Sequence, residues 1–204
     1  MSVSSPGSSL PTASDRIGAR HLQQNVASSG TTWPTIDRMN ADDAAAHIEI
    51  TQVLYRYSRG VDRGDREMIR SVYHPDALDN HGAWTGLGVE FADRIVDSLD
   101  GATLTAQHHI TNALIELDGE TAACESYFLA YHPSRDEAGA EVLAAAAGRY
   151  LDRFERRDDE WRIADRRVVL DWTREKVEGE PWPSQTAYPG GGRREADPSW
   201  ELFA

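Results

Sequence analysis

The segment HHITNALIELDGETAACESYFLAYH (residues 108–132) decides the fold, because its pattern is that of two strands joined by a tight turn. Residues 108–117 and 121–132 are rich in β-branched and aromatic side chains, which favour extended structure. Asp118-Gly119 between them is a typical hairpin turn. The segment therefore predicts an antiparallel β-hairpin.

Two further β-like runs follow this hairpin. The polar loop PSRDEAGAE (133–141) precedes a run at about residues 142–156, and a turn at 157–160 precedes a last strand at 161–172. Short polar connections between consecutive strands are typical of antiparallel sheets. The second half of the chain is thus predicted to form an antiparallel sheet.

The residues before the hairpin carry helical patterns instead. Asn40 can cap a first helix, and Asp65 can cap a short second helix that is stopped by His74-Pro75. A third helix is predicted at about residues 89–99. The first helix has apolar side chains at helical spacing: Ile50, Val53, Leu54, Tyr57 and Val61.

Helices followed by antiparallel strands predict an α+β fold, in which a curved, mostly antiparallel sheet wraps around about three N-terminal helices. The hollow between the two layers is a natural binding pocket. We expect this domain to span residues 40–176. Residues 1–39, rich in Ser, Thr, Gly and Pro, are expected to form a flexible arm, and residues 177–204 a C-terminal extension.

The composition argues against several classes of function. The chain has 204 residues and a net charge of −13, which disfavours nucleic acid and anionic membranes as partners. Cys124 is the only cysteine, so no intramolecular disulfide is possible. The absence of HxxxH, HExxH, dinucleotide and phosphate-loop motifs leads us to expect no metal and no cofactor. Without an apolar run of transmembrane length, the expected location is cytoplasmic.

The order of elements and three local segments resemble the SnoaL-like branch of the nuclear transport factor 2-like superfamily. The segments are YRYSRGVDRGDREMIRSVYHPDA, TAQHHITN and RFERRDDEWRIADRRVVLDW, and the resemblance covers residues 41–172. It implies a cone-shaped α+β barrel with a pocket for a small-molecule substrate. It also implies a homo-oligomer, either a dimer or a trimer, because this fold often pairs through its open sheet face. The superfamily contains both enzymes and non-catalytic binding domains.

The site pattern is similar to those of two enzyme families of this fold, the scytalone dehydratases and the lindane dehydrochlorinases, which act without a cofactor. By motif, their aspartate falls on Asp62 in GVDRGD and their histidine on His108 in TAQHHITN. A second histidine of the dehydratases falls near His132, and an arginine of the dehydrochlorinases falls on Arg166. The lysine of the dehydrochlorinases falls on Tyr57, a departure that argues against dehydrochlorination itself.

Without the resemblance, the residue pattern leaves these roles open. Asp62 ends a helix, where a carboxylate is unfavourable for the helix dipole unless a partner compensates it, but it could also simply face solvent. His108 and His109 are neighbours in a strand, so only one of them can face the pocket. The pattern does not choose between them, and the resemblance favours His108.

Strand alternation places two further side chains. His132 alternates with apolar residues, so it either faces the pocket, where it could donate a proton to a leaving hydroxyl group or hold a catalytic water, or ends its strand in solvent. Arg166 shares the parity of Val168, Leu170 and Trp172, which places it inside, although an outward salt bridge is the alternative. A buried arginine needs an anion, which could be Asp62, another carboxylate or a substrate oxyanion.

Four side chains are candidates for contact with a substrate: Tyr55, Tyr57, Asn112 and Trp172. Tyr57 could donate its hydroxyl to a substrate oxygen, and Asn112 could donate its amide from the His108 face. A core role for the tyrosines is the alternative. His74 is interpreted only as a residue that stops a helix.

The leading hypothesis is a cofactor-independent lyase or isomerase that performs a dehydratase-like elimination on a small, apolar, cyclic molecule. His108 is its general base, Asp62 orients that base, and Arg166, Tyr57 and His132 assist. The alternatives are a non-catalytic small-molecule-binding or assembly module of the same fold, and a hydrolase such as an epoxide hydrolase. A carboxylate within about 3 Å of the imidazole, beside an open cavity, favours catalysis.

Overall fold

The computed structural model describes residues 39–100, 105–174 and 193–196. Within these residues the chain forms three α-helices, Ala41–Arg63 (α1), Arg66–Ser71 (α2) and Gly88–Asp100 (α3). It also forms six strands, Tyr73–Asn80 (β1), Thr85–Leu87 (β2), Gln107–Asp118 (β3), Thr121–Arg135 (β4), Glu141–Arg157 (β5) and Glu160–Arg174 (β6). The expected N-terminal arm lies outside the described residues apart from Met39, and the expected C-terminal extension apart from residues 193–196.

The first two helices begin at the capping residues that the sequence predicts. The side chain of Asn40 accepts a backbone N–H at 2.8 Å and begins α1. Gly64 ends α1 with a φ of 67°, a left-handed conformation that residues with a Cβ rarely adopt. Asp65 then caps α2 by accepting a backbone N–H at 3.0 Å. These caps place Asp62 in the last turn of α1.

The six strands form one sheet in the order β2-β1-β6-β5-β4-β3. The four long strands β3 to β6 pair antiparallel in chain order, which confirms the α+β prediction, whereas β1 pairs parallel with β6. β4 continues through the first third of the expected polar loop to Arg135, and β5 begins at Glu141, so the connection is only residues 136–140.

The strand β1 corrects the sequence analysis, which interprets His74 only as a residue that stops a helix. α2 ends at Ser71, and the chain enters β1 directly. His74 is buried in this strand, and its Nε2 lies 2.8 Å from the carbonyl oxygen of Glu155. Pro75 lies in a stretch where the register between β1 and β6 shifts, because proline cannot donate a hydrogen bond to a neighbouring strand.

The core lies between the sheet and the helices. α1 lies against β3 and β6, and α3 lies against β1. The largest apolar side chains in the core are almost fully buried: Ile50, Leu54, Ile69, Tyr73, Phe154 and Ile163. Among the described helices, none is both long enough and apolar enough to cross a membrane. This packing brings the end of α1 to the beginning of β3.

Candidate active site

Asp62 and His108 meet where the last turn of α1 lies against β3. One carboxylate oxygen of Asp62 lies 2.6 Å from Nδ1 of His108, and the other accepts the backbone N–H of His108 at 3.0 Å. Asp62 is only 7% exposed. A carboxylate at Nδ1 holds the ring proton there and leaves the lone pair of the neutral imidazole on Nε2. The pair therefore has the arrangement of an oriented general base.

His109, the other member of the doublet, is exposed and lies on the opposite side of β3. Its ring meets that of Tyr131 edge to face, with ring centres 6.0 Å apart. The structure therefore places His108, and not His109, against the interior.

A cavity of about 240 Å³ lies next to His108 on the inner face of the sheet. Most of its wall is apolar, and its polar side chains include three histidines, His81, His108 and His132. The apolar part of the wall includes Val61, Phe91, Ile95, Phe128, Val168 and Leu170. The volume is slightly below the ~300–1,000 Å³ of typical ligand pockets, so the cavity suits a compact molecule.

His132 lies beside His108 in this cavity, with ring centres 5.3 Å apart. Burial, together with the neighbouring His108, lowers the pKa of His132 below its usual value. Its Nδ1 is buried and has no hydrogen-bond partner among the residues that the structure describes. A lowered pKa favours the neutral ring, which suits holding a substrate or a water molecule better than donating a proton.

Arg166 lies inside, as strand alternation indicates, but it does not contact Asp62. Its guanidinium donates twice to the carboxylate of Asp152, at 2.8 and 2.7 Å. It also lies between two aromatic rings, 4.1 Å from the centre of Tyr57 and 4.2 Å from that of Tyr150. Although burial acts to lower the pKa of Arg166, the charge of Asp152 raises it well above its usual value. Arg166 thus packs behind Tyr57 and Tyr150, which form part of the cavity wall.

A second histidine–carboxylate pair, which the sequence pattern did not predict, faces the same cavity. His81 follows β1 and contacts the carboxylate of Asp79 through Nδ1, while its Nε2 lies 3.3 Å from the hydroxyl of Tyr57. Asp79 is fully buried, and its other oxygen accepts from the hydroxyl of Tyr73 at 2.5 Å. The signal that could have revealed this pair is the spacing DNH at the end of β1, but that strand itself was not predicted.

The two pairs are separate. Asp62 contacts Nδ1 of His108, and Asp79 contacts Nδ1 of His81. In the part of the chain that the structure describes, no group of three or more His, Cys, Asp or Glu side chains is arranged to hold a metal ion.

Tyr57 lines the cavity, whereas Tyr55 does not. Tyr55 is 50% exposed and lies in a separate depression on the outer side of Asp62 and His108. The two tyrosines are two residues apart on a helix and therefore point in different directions. Tyr55 is therefore not part of the cavity wall, and its contact with a substrate stays a prediction.

Two other residues that the sequence predicts to contact substrate, Asn112 and Trp172, lie off the cavity wall because of bulges. Residues 111 and 112 of β3 together oppose a single residue of β4, so Asn112 leaves the His108 face and is exposed. In β6, Asp171 is an extra residue between the paired positions Leu170 and Trp172. Leu170 therefore lines the cavity, but Trp172 is turned away and is 43% exposed.

Comparison with known proteins agrees with this architecture. Residues 42–167 match the SnoaL-like domain. No curated protein matches the chain.

Solved structures with the same fold include three of low sequence identity. A protein from Novosphingobium aromaticivorans, provisionally named scytalone dehydratase, is 17% identical with a TM-score of 0.60, over 69% of this chain and 94% of its own. A hexachlorocyclohexane dehydrochlorinase from Novosphingobium barchaimii is 21% identical with a TM-score of 0.59, over 70% and 97%. A nuclear transport factor 2-like protein from Salmonella enterica is 17% identical with a TM-score of 0.56, over 62% and 92%.

These structures show that the fold is nuclear transport factor 2-like, as the sequence resemblance implies. The matched residues 42–167 cover more than half of the chain, and they include both histidine–carboxylate pairs and the Arg166 position. The chain belongs to the SnoaL-like domain family.

Proposed function

We propose that the protein is a cofactor-independent lyase or isomerase that removes a proton from a small, mostly apolar, cyclic molecule. The observation that carries this proposal is the 2.6 Å contact between Asp62 and Nδ1 of His108 at the wall of an open cavity. A positioned base of this kind contributes about 10²–10⁴-fold to a reaction rate. Two structural relatives are named as a dehydratase and a dehydrochlorinase, which are names of eliminating enzymes and support the same reaction class.

In the proposed elimination, Nε2 of His108 takes a proton from a carbon next to a carbonyl group. The electron pair of that C–H bond forms the new double bond, and the leaving oxygen departs with the electron pair of the broken C–O bond. Asp62 stabilises the imidazolium that forms. Burial, with Tyr150 adding to it, raises the pKa of Tyr57 well above its usual value, so Tyr57 keeps its proton and can donate it in a hydrogen bond to the carbonyl oxygen.

The cavity supports the substrate class. Its wall is mostly apolar, and its volume of about 240 Å³ suits a single ring or two small fused rings. The three histidines provide polar contacts at defined positions in this wall. A small cyclic β-hydroxyketone meets these requirements, because it offers an acidic C–H bond, a carbonyl group and a leaving hydroxyl group.

The two alternatives make different predictions. A binding or assembly module predicts that Asp62 and His108 are apart or that the hollow is filled by side chains, and neither condition describes this geometry. A hydrolase predicts that the same pair activates water, so oxygen from solvent enters the product. Turnover in ¹⁸O-labelled water distinguishes hydrolysis from elimination.

The test uses 3-hydroxycyclohexanone and related cyclic β-hydroxyketones, with the ultraviolet absorbance of the conjugated enone as the readout. We expect the wild-type protein to turn over members of this series and His108→Ala to lose about 10²-fold or more. His109→Ala is the matched control, since His109 is exposed on the other side of the strand. Product binding, measured by calorimetry, should persist in His108→Ala. Unchanged turnover in that variant would contradict the proposal.

A further inference from the structure

Three charged side chains form a row across neighbouring strands beneath the cavity. Arg166 of β6 is paired in register with Asp79 of β1 on one side and with Asp152 of β5 on the other. All three are buried, with exposures of 0% for Asp79, 5% for Asp152 and 1% for Arg166. Arg166 directs two of its donors to Asp152, so the hydrogen bonds of Asp79 come from Tyr73 and His81.

The charges of this row do not balance without His81. Two carboxyl groups share one guanidinium, so with both ionised the row carries one unit of negative charge, and an unbalanced buried charge is costly. Burial accordingly raises the pKa of Asp152, although the charge of Arg166 acts to lower it. The tyrosines around the row cannot supply a positive charge, and burial raises the pKa values of Tyr57, Tyr73 and Tyr150 so that they stay neutral. A proton on His81 brings the net charge of the group to zero.

The position of His81 suits the transfer of that proton into the cavity. Its Nδ1 is held by Asp79, and its ring stacks on Phe91 with ring centres 4.0 Å apart and planes 17° from parallel. Its Nε2 is directed toward the hydroxyl of Tyr57 at 3.3 Å, a long hydrogen bond that a substrate oxygen can replace. The His81 side chain is 22% exposed, so it can regain a proton from solvent.

We propose that His81 is the general acid of the reaction, held by Asp79, and that it protonates the leaving oxygen in the cavity that it shares with His108. This inference rests on the proposed elimination. His108 takes the proton from carbon, and the C–O bond breaks with its electron pair going to oxygen. Nε2 of His81 donates its proton to that oxygen, so water leaves. His108 then loses its proton to solvent, and His81 regains one.

This assignment gives the proton-donor role to His81 rather than to His132. Asp79 is a positioning residue, because it is fully buried and acts through His81. The titratable groups that face His81 are Asp79 on β1, Tyr57 on α1 and Asp152 on β5, whose charge also interacts with it. α3 contributes the non-titratable ring of Phe91.

Two substrates that differ only in their leaving group test the proposal, 3-hydroxycyclohexanone and its 3-acetoxy analogue. Hydroxide needs a proton in order to leave, whereas acetate does not. We expect His81→Gln and Asp79→Asn to lower turnover of the hydroxy substrate about 10²-fold or more and to change that of the acetoxy substrate only a few-fold. The alkaline limb of the pH–rate profile for the hydroxy substrate should also disappear in His81→Gln. His109→Gln serves as the control, and melting temperatures verify that each variant is folded.

The outcomes separate the two proposals. If His108→Ala loses turnover of both substrates while His81→Gln retains turnover of both, the role of His81 is overturned and the elimination is left intact. An equal loss of turnover for both substrates in a folded His81→Gln would also overturn the role of His81, because a general acid is needed only for the poor leaving group. If the wild-type protein eliminates neither leaving group, the proposed function itself fails.

Discussion

The carboxylate of Asp62 binds both the ring and the main chain of His108, through Nδ1 at 2.6 Å and the backbone N–H at 3.0 Å. The first bond sets the tautomer of the ring, and the second fixes the strand that carries it. Orientation of the base and closure of the helix onto the sheet thus depend on the same side chain.

Asp62→Asn separates these two effects. The amide oxygen can still accept the backbone N–H of His108, but the amide nitrogen would donate to Nδ1 and place the ring proton on Nε2, away from its useful position. We expect turnover of a cyclic β-hydroxyketone to fall by about 10²–10⁴-fold while the melting temperature changes little. Asp42→Asn, at an exposed position in α1, is the control. Retained turnover in Asp62→Asn would show that the tautomer is not set by this carboxylate.

Removing one partner of the ion pair between Arg166 and Asp152 should destabilise the fold much more than removing both. Arg166→Met leaves a buried carboxylate without its partner, and we expect the free energy of unfolding to fall by about 3–5 kcal/mol. The double variant Arg166→Met/Asp152→Leu should recover most of that loss, because it removes both charges together. Urea unfolding of the two single variants and the double variant measures the coupling. Additive losses would contradict a direct interaction between the pair.

His132 should make stability depend on pH. Its folded-state pKa is lowered by burial, while in the unfolded chain a histidine titrates near ~6.5. Between these two values the unfolded chain binds a proton that the folded chain does not, so the free energy of unfolding decreases as pH falls through this window. His132→Gln should remove this contribution, which has a slope of at most about 1.4 kcal/mol per pH unit. Urea unfolding of both proteins at several pH values below and above ~6.5 checks this prediction. If the free energy of unfolding of His132→Gln had the same slope against pH as that of the wild type, the burial of a neutral ring would be contradicted.

Gly148 should not tolerate a side chain. A Cβ at this position would lie 2.1 Å from the carbonyl oxygen of Val169 and 3.0 Å from the ring of Phe128, a residue of the cavity wall. We expect Gly148→Ala to destabilise the protein by about 1–3 kcal/mol, as overpacking does. Urea unfolding measures the loss, and a midpoint equal to that of the wild type would show that the sheet can relax there at no cost.

The parts of the fold that sequence predicted are those with local signals. Asn40 and Asp65 cap their helices because their side chains act within one turn of chain. The hairpin around Asp118-Gly119 follows from a turn of fixed geometry between two extended runs. The contact of Asp62 with His108 came from a motif resemblance, since the residue pattern alone left the histidine doublet open.

The parts that sequence did not predict depend on long-range pairing and on the main chain. β1 contains Pro75 and has no regular alternation, so its strand character comes from pairing with β6. Because β1 was missed, Asp79 and His81 were missed with it. Asn112 and Trp172 were assigned by strict alternation, which a single extra residue at each bulge reverses.

The partner of Arg166 illustrates the same limit. Alternation along β6 places this side chain inside, but it cannot say which carboxylate lies on the neighbouring strand. The register of β5 against β6 brings Asp152 to Arg166, and this register is a property of the assembled sheet.

The position of β6 between β1 and β5 has a consequence for the order in which the protein is made. β1 is synthesised early, but its parallel partner is the last long strand of the described sheet, after α3 and four intervening strands. On the ribosome, β1 can pair with β2 early, but it can pair with β6 only after nearly the whole described sheet has been made. Until then Asp79 is not adjacent to Arg166, so the row of buried charges and the cavity above it can form only once β6 has been made.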